Sequence, residues 1–327
     1  MSDKLKILGV GSPILDILVN VDDKFIEGID GDKGGMELVS SEALEAILAK
    51  TGGNAPHNAP GGSAGNTIFG LAELGTPVAF LGKVGRDQDG EFYTGCLAKL
   101  GGDVSAFRYA DGIHTGRCLS LVTPDSERTM RTDLGAAATV TEEDVSPDVF
   151  AGVNLVHIEG YMLFAENILR KTLKAAKDAG CRISLDMASF EVVRFKKDIL
   201  PELLSEYVDI VFANEDEARE FCGDVSLEEA LEKLSEYCET AVVKMGKEGS
   251  LIKRGEEIAR VRADVVNAVD TTGAGDLWQT GFLYGFVNGR SLEECGILGS
   301  ALGAEVVQVM GANIPDARWD VIRKSLT

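Results

Sequence analysis

The sequence predicts an α/β fold with a mainly parallel central sheet covered by helices, and with a small, discontinuous β lid. Short β-type runs alternate with helical patterns along most of the 327 residues, which is typical of parallel strands joined by helices. Two regions, at about 14–40 and 113–134, carry strand-like alternation without intervening helices. We therefore predict one domain over residues 1–327, on which these two distant segments pair as a lid.

The predicted strands of the main sheet are short and apolar, and helical periodicity follows most of them. They are Lys6–Val10, Val78–Leu81, Leu155–Ile158, Ile183–Asp186, Ile210–Ala213 and Ala241–Lys244. The predicted helices are Ser63–Leu74, Glu91–Leu100, Glu166–Ala179, Glu215–Cys222 and Leu227–Tyr237. After Ala274 the pattern is almost wholly helical.

The composition argues against several classes of partner. A net charge of −21 makes nucleic acids and anionic membranes poor partners, and no apolar run reaches the roughly 18 residues of a membrane span. The six cysteines form no C-x-x-C pair, and residues 5–19 lack a cleavage pattern, so we expect reduced thiols and a cytoplasmic protein. We expect a monomer, or a homodimer that covers an exposed lid edge.

The segment Asp270–Asp276 places a glycine turn between two carboxylates, just before an apolar helix. Glycines let successive N–H groups converge, and the helix dipole adds positive potential, so the turn suits a phosphate. Asp276 is then placed to act as a base toward a substrate hydroxyl. The alternative is a capped helix in which Asp276 is a first-turn acid worth about 0.3–1 kcal/mol.

Two other enzyme classes have a partial motif in the sequence. Residues 61–65 fit the G-x-S-x-G elbow of hydrolases, but Gly52–Pro60 is predicted to be a loop and no histidine follows His157. The pair Gly9 and Gly11 follows the first strand as in dinucleotide-binding enzymes, yet the third glycine and the helix of that motif are missing.

Three motifs together resemble the PfkB/ribokinase family of carbohydrate and nucleoside kinases. They are Gly61–Asn66, the Gly82–Asp87 segment with Gly90, and Asp270–Asp276, joined by the N-x-x-E element at 214–217 and by 244–249. The resemblance spans nearly the whole chain and implies a ribokinase-like three-layer αβα domain. Within the family, the chain is most like adenosine kinases at 12–16, 115–118, 128, 134–137 and 207–215.

The resemblance implies that ATP donates its γ-phosphoryl group to a primary hydroxyl. Asp276 would be the general base, and Gly273, Ala274 and Gly275 would form the anion hole. Magnesium would accompany ATP, organised by Asn214 and Glu217 largely through water. Further ATP-binding positions implied by the resemblance are Lys244, Gly246, Gly249 and the lid residue Arg128.

For the acceptor, the resemblance implies that Asp16 binds vicinal hydroxyls through its two oxygens, an arrangement that suits a diol. The other implied acceptor positions are Ser12, Gly35, Gly62, Asn66, Met130 and Met162. Asp270 and Thr272, with carbonyls near Val306 and Gly311, match positions that bind a monovalent cation such as K⁺ in some members. Residues 305–311 lack the arginine that usually precedes the glycine.

The sequence leaves three functions open. The leading one is a kinase for adenosine or a related ribonucleoside, because the apolar residues expected at the lid suit a base better than a hydroxyl-rich sugar. These residues are Leu38, Met130, Leu134 and Met162. A kinase for ribose, fructose or a similar small sugar is the alternative in the same family. The third is a nucleotide- or sugar-binding sensor without catalysis, against which the intact glycine turn with Asp276 argues.

Overall fold

The computed structural model describes residues 5–52, 57–125 and 127–326. Its central sheet has eight strands in the order β15-β14-β13-β12-β11-β10-β1-β5. They are β1 (Ile7–Val10), β5 (Val78–Leu81), β10 (Leu155–Ile158), β11 (Arg182–Asp186), β12 (Ile210–Asn214), β13 (Thr240–Lys244), β14 (Ser250–Arg254) and β15 (Glu257–Val261). The six predicted strands are confirmed and all run parallel. The sequence analysis missed the antiparallel hairpin β14–β15 at the sheet edge.

A second, five-stranded sheet lies apart from the first, in the order β3-β9-β8-β2-β4. Its strands are β2 (Ile14–Asn20), β3 (Met36–Leu38), β4 (His57–Gly61), β8 (Gly116–Val122) and β9 (Arg128–Asp133). Strands β2 and β8, which are about 100 residues apart in sequence, pair in parallel from Ile14 opposite Gly116 to Asn20 opposite Val122. We call this the lid sheet; its movement as a lid remains a prediction. The remaining strands, β6 (Lys83–Gly85) and β7 (Arg108–Ala110), pair with each other.

Two local expectations were wrong. The region 14–40 contains a short helix, α1 (Asp23–Glu27), because the Asp22 side chain accepts from the N–H of Phe25 and caps it. Residues 57–60, predicted to be part of a loop, belong to strand β4 at an edge of the lid sheet, where a proline is tolerated. The rest of that predicted loop, 53–56, lies outside the described residues.

Helices cover both faces of the central sheet. They are α3 (Ser63–Glu73), α4 (Gln88–Lys99), α5 (Glu166–Asp178), α6 (Phe190–Lys196), α7 (Leu200–Tyr207), α8 (Glu215–Cys222), α9 (Leu227–Ser235), α10 (Ala274–Val287) and α11 (Leu292–Val306). Helix α2 (Ser41–Lys50) packs on the lid sheet instead, and α12 (Asp316–Ser325) packs against α10 and α11. One core cluster joins the sheet to α5–α9, and another joins it to α3, α4, α10 and α11. This produces three layers and confirms the predicted fold class and the helical C-terminal region. No described helix has both the length and the apolar character needed to span a membrane.

The two faces of the lid sheet differ in character. Ile17, Val19, Leu119 and Leu121 pack against residues of α1 and α2 in a small apolar core. Because side chains alternate along a strand, the intervening residues of β2, β8 and β9 point to the opposite face. These are Asp16, Leu18, Cys118, Ser120, Arg128, Met130 and Thr132. The alternation therefore presents a polar and charged face toward the main domain.

Candidate active site

The site lies at the carboxyl ends of the parallel strands, where open α/β sheets bind ligands. The order in which the chain adds strands to the sheet reverses at β1: β5 is added on one side of β1, and β10 and the later strands are added on the other. Residues that directly follow or end these strands are Ser12 after β1, Glu159 after β10, Asp186 on β11, Asn214 on β12 and Lys244 on β13. The fold thus brings together residues that are more than 200 positions apart.

The glycine turn begins α10 and has the geometry of an anion site. Gly273 has a left-handed backbone with φ 72°, which favours glycine. The amide of Ala274 donates to the carbonyl of Thr271 at 3.1 Å. It is therefore not free to bind an anion, contrary to the prediction from the sequence. The N–H groups of Gly275 and Asp276 have no acceptor among the described residues. An anion at the start of α10 would therefore be met by two amides and the helix dipole.

Asp276 is held in place by helix α3. Its Oδ1 accepts from Ser63 Oγ and its Oδ2 from Asn66 Nδ2, both at 2.8 Å. Ser63, which the hydrolase motif would make a nucleophile, therefore acts here as a donor to the carboxylate. The Asp276 backbone carbonyl also accepts from the Thr67 hydroxyl at 3.1 Å, so both ends of the residue are fixed.

The environment makes Asp276 a stronger base than an exposed aspartate. Burial and the nearby charge of Asp186 raise its pKa to about 6, against the lowering effect of the hydrogen bonds from Asn66 and Ser63. A general base is most efficient when its pKa is near the working pH. The carboxyl is therefore tuned toward proton abstraction, which a surface helix cap does not require.

A buried lysine faces the same turn. Lys244 Nζ lies 3.2 Å from where a Cβ on Gly275 would be, and it donates to Asp186 Oδ1 at 3.0 Å. Gln279 Nε2 donates to the same oxygen at 2.8 Å, which fixes the carboxylate that orients the lysine. Although burial disfavours the charged form, Asp186 and Glu217 raise the pKa of Lys244. The amine is therefore a fixed positive charge beside the anion site.

Asn214 and Glu217 form a capping box at the start of α8. Asn214 Oδ1 accepts from the N–H of Glu217 at 2.9 Å, while Glu217 Oε2 accepts from the N–H of Asn214 at 2.7 Å. Glu217 is 2% exposed, and burial together with Asp186 raises its pKa. The turn formed by Gly246 and Gly249 follows β13, and both glycines have positive φ.

Magnesium fits this corner on grounds of charge. Asp186, Glu217 and Asp276 place three carboxyls around one lysine, so a divalent cation would neutralise the excess. The described residues contain no cluster of three or more histidine, cysteine or acidic residues shaped to hold a metal.

The predicted acceptor residues meet on the other side of the turn. The Asp16 carboxyl faces the cleft, where burial is the main cause that raises its pKa to about 6, and Asp276 adds to the rise. Gly62 has φ 84°, and a Cβ there would lie 2.2 Å from the Ser12 carbonyl oxygen. Only glycine therefore allows the loop after β1 to pack against the start of α3.

Glu159 connects the loop after β1 to the start of α3, and the sequence analysis did not predict this role. It is 1% exposed and accepts from the N–H of Ser12 at 2.8 Å and from that of Ala64 at 3.1 Å. Burial raises its pKa to about 7, against the effect of those hydrogen bonds. The available signal was an acid directly after an apolar strand, comparable to the acid Asp16 within the apolar strand β2.

Three other predicted acceptor residues have different surroundings. Met130 lies on the inner face of β9, where its N–H donates to the carbonyl of Gly35 at 2.9 Å. Met162, by contrast, belongs to the core cluster with Leu163, and this packing argues against contact with a substrate. The neighbouring Tyr161 is partly exposed, and burial and the carboxyls of Glu159, Asp186 and Asp276 raise its pKa to about 12. Tyr161 is therefore a partly exposed aromatic side chain close to the carboxyls of the site.

Arg128 does not point freely into the cleft as a phosphate-binding lid arginine would. Its guanidinium donates to Ser120 Oγ at 2.6 Å and pairs with Asp270 Oδ2 at 3.3 Å. Asp270 in turn accepts from the N–H of Thr272 at 2.9 Å and from that of Gly311 at 2.7 Å. The predicted cation-binding carboxylate is thus already paired with a positive charge.

The three-layer domain with its eight-stranded sheet, and the separate five-stranded sheet beside it, form a ribokinase-like α/β fold. The family model described as "pfkB family carbohydrate kinase" matches residues 43–319. The chain belongs to this family and is a kinase.

Its relatives include both nucleoside and sugar kinases by name. The structure of adenosine kinase from Sinorhizobium meliloti is 36% identical with a TM-score of 0.88, covering 99% of this chain and 100% of that one. A probable sugar kinase from Rhizobium etli CFN 42 is 33% identical with a TM-score of 0.87, covering 98% of each chain. Adenosine kinase of Saccharomyces cerevisiae is 28% identical over 331 residues, covering 94% of this chain and 96% of that protein.

Proposed function

We propose that this kinase transfers the γ-phosphoryl group of ATP to the 5′-hydroxyl of adenosine or a related ribonucleoside. The observation that carries the proposal is the pair of carboxyls across the cleft. Asp276 is held by Ser63 and Asn66 at 2.8 Å, and Asp16 on the lid sheet is close enough to Asp276 for their charges to interact. One carboxylate suits the ribose diol and the other suits the hydroxyl that reacts.

In the proposed reaction, Asp276 takes the proton of the 5′-hydroxyl while the hydroxyl oxygen forms a bond to the γ-phosphorus. The bond from that phosphorus to the bridging oxygen breaks, and ADP leaves with the bonding electrons. The amides of Gly275 and Asp276 and the ammonium of Lys244 would stabilise charge on the transferred group. Removal of one such donor in other enzymes costs about 2.7–4 kcal/mol.

Magnesium, held near Asn214, Glu217 and Asp186, would neutralise phosphate charge when bound. The chain's own residues keep this corner ordered, since Gln279 and Lys244 both donate to Asp186. Gly246 and Gly249 form a turn at the end of β13 that suits the nucleotide. Binding of magnesium would account for the excess of negative charge that Asp186, Glu217 and Asp276 place beside the glycine turn.

The nucleoside is preferred over a sugar because the cleft presents Tyr161 and Met130 beside polar groups. An aromatic ring offers a face on which a base can stack, and methionine adapts to a flat ligand. The similarity to an adenosine kinase over the full chain supports the same choice. The similarity to a probable sugar kinase over nearly the full chain favours the second candidate, a kinase for a small hydroxyl-rich sugar such as ribose or fructose.

The test is a coupled assay of MgATP consumption with adenosine, inosine, guanosine, ribose and fructose. We expect adenosine or another ribonucleoside to be phosphorylated with a kcat/KM at least tenfold above that of either sugar. A higher value for ribose or fructose would establish the sugar kinase instead. Binding of these compounds without any phosphorylation would establish the sensor.

Analogues and variants locate the contacts. 5′-Deoxyadenosine should bind as an inhibitor. The kcat/KM of the wild type with 2′,3′-dideoxyadenosine should fall below its value with adenosine by about the same factor as that of Asp16→Asn with adenosine. Combining the analogue with the variant should add little, because both remove the same contact. Asp32→Asn, on the exposed surface of the lid segment, is the matched control and should behave as wild type. Fully additive losses would contradict the role of Asp16.

A further inference from the structure

Arg128 joins the lid sheet to the glycine turn through a buried ion pair. Its side chain is 5% exposed and that of Asp270 is 3% exposed. One guanidinium nitrogen pairs with Asp270 Oδ2 at 3.3 Å, and the other donates to Ser120 Oγ on the adjacent strand at 2.6 Å. The pair therefore connects the lid sheet to the turn that begins α10.

The Asp270 carboxylate has little capacity left for a metal ion. A carboxylate offers about four acceptor positions, and three are taken by Thr272 N–H, Gly311 N–H and the Arg128 guanidinium. The carbonyl of Val307, from the segment that would supply further oxygens, already accepts from the N–H of Val269 at 2.7 Å and from that of Asp270 at 3.2 Å. The Asp270 carboxylate and the Val307 carbonyl therefore do not fit a monovalent cation, because these oxygens already accept hydrogen bonds within the protein.

Charge leads to the same conclusion. A cation on Asp270 would lie beside the guanidinium, and two positive charges in a poorly hydrated cleft repel each other strongly. Arg128 also interacts with Asp16, where its positive charge opposes the effect of burial. A single fixed guanidinium thus serves the carboxylates on both sides of the cleft.

We infer that Arg128 is the built-in cation of the Asp270 site, so that this kinase needs no potassium or other monovalent ion for phosphoryl transfer. The guanidinium holds Asp270, and through it the Thr272 and Gly311 amides, in the arrangement that begins α10. Its Nε is buried without a hydrogen-bond partner among the described residues. The turnover part of the test rests on the proposed function; the binding part does not.

The first experiment compares KCl with tetramethylammonium chloride at equal ionic strength and saturating magnesium. We expect wild-type kcat and KM to agree within twofold, and the thermal midpoint of the ligand-free protein to be the same in both salts. Crystals soaked in thallium(I), a K⁺ mimic with strong anomalous scattering, should show no thallium at Asp270. Activation above fivefold by K⁺, or thallium bound at Asp270, would overturn the inference.

Variants assign the effect to Arg128. Arg128→Gln should acquire a K⁺ response, seen as a higher thermal midpoint and a higher kcat in KCl than in tetramethylammonium chloride. Arg128→Lys keeps a positive charge and should respond less than Arg128→Gln. Arg117→Gln, which removes another lid arginine whose partner is Glu45, is the control and should remain indifferent to K⁺. An Arg128→Gln protein that folds and still ignores K⁺ in both measurements would overturn the assignment.

A failure of the proposed acceptor is distinguishable from a failure of this inference. If adenosine is not phosphorylated, the thermal and thallium measurements still report on Asp270. If adenosine is phosphorylated but K⁺ activates the wild type, the reaction is established and only the role of Arg128 is wrong.

Discussion

Asp276→Asn separates a catalytic base from a helix cap, because the two roles predict opposite effects on stability. The pKa of Asp276 rises from an ordinary value of 3.8 to about 6 on folding, which corresponds to about 3 kcal/mol of cost for the ionised form at neutral pH. Removal of the charge should therefore leave the fold as stable as before, or stabilise it by up to about that amount. A first-turn cap would instead lose about 0.3–1 kcal/mol.

Turnover should change in the other direction. General bases contribute about 10²–10⁴-fold to rate, so we expect kcat of Asp276→Asn to fall by at least 100-fold while ATP still binds. In the wild type, kcat/KM should decline about tenfold for each pH unit below about 6, as the carboxyl of the free enzyme becomes protonated. The variant should lack this decline in its residual activity.

The assays are a coupled kinase assay from pH 5 to 8.5, isothermal titration with ATP, and thermal unfolding at pH 7.5. Asp316→Asn is the matched control, because Asp316 is a first-turn acid of α12 outside the site. It should lose a little stability and keep full activity. Near-normal turnover by Asp276→Asn, or the same stability loss in both variants, would refute the catalytic role.

Three further outcomes follow from the same geometry. Lys244→Met should lower kcat by about 100-fold and weaken ATP binding, because it removes a buried charge beside the anion site. The thermal midpoint of the ligand-free protein should rise as pH falls from 7.5 to 5.5. Folding raises the pKa of Asp16 to about 6 and that of Glu159 to about 7. Both carboxyls therefore bind protons more tightly in the folded state than in the unfolded state, and protonation stabilises the fold. His157, whose pKa burial lowers to about 4, opposes this trend with one proton. Gly62→Ala should destabilise the protein by about 1–3 kcal/mol, because its φ is 84° and a Cβ would lie 2.2 Å from a carbonyl oxygen.

Each outcome has a measurement that can contradict it. For Lys244→Met, unchanged ATP affinity by isothermal titration together with unchanged kcat would remove the lysine from the site. A midpoint that falls steadily on acidification would mean that the buried carboxyls remain ionised in the folded protein. For Gly62→Ala, the control is Gly101→Ala, a glycine with φ 83° and no atoms close to an added Cβ. Equal losses in the two variants would show that backbone strain alone, and not the contact with the loop after β1, is responsible.

The sequence by itself determined the six parallel strands of the central sheet, the main helices that cover it and the glycine turn before α10. Short apolar strands bounded by glycine, and helical periodicity between them, are local signals that do not depend on the rest of the chain. The turn at Asp270–Asp276 was visible for the same reason, since its glycines and its helix lie within a few residues of each other. Strand β4 was not predicted from the sequence because its pattern is short and contains proline, and because its pairing partner β2 is about 40 residues away.

Only the tertiary structure decided how the site is connected. Ser63 and Asn66 bind Asp276 across more than 200 residues, Asp186 orients Lys244, and Arg128 pairs with Asp270 rather than standing free. A charged side chain has the same letter in the sequence whether it is solvated, paired or aimed at a ligand. Its partner, and the burial that shifts its pKa, exist only once distant elements pack together.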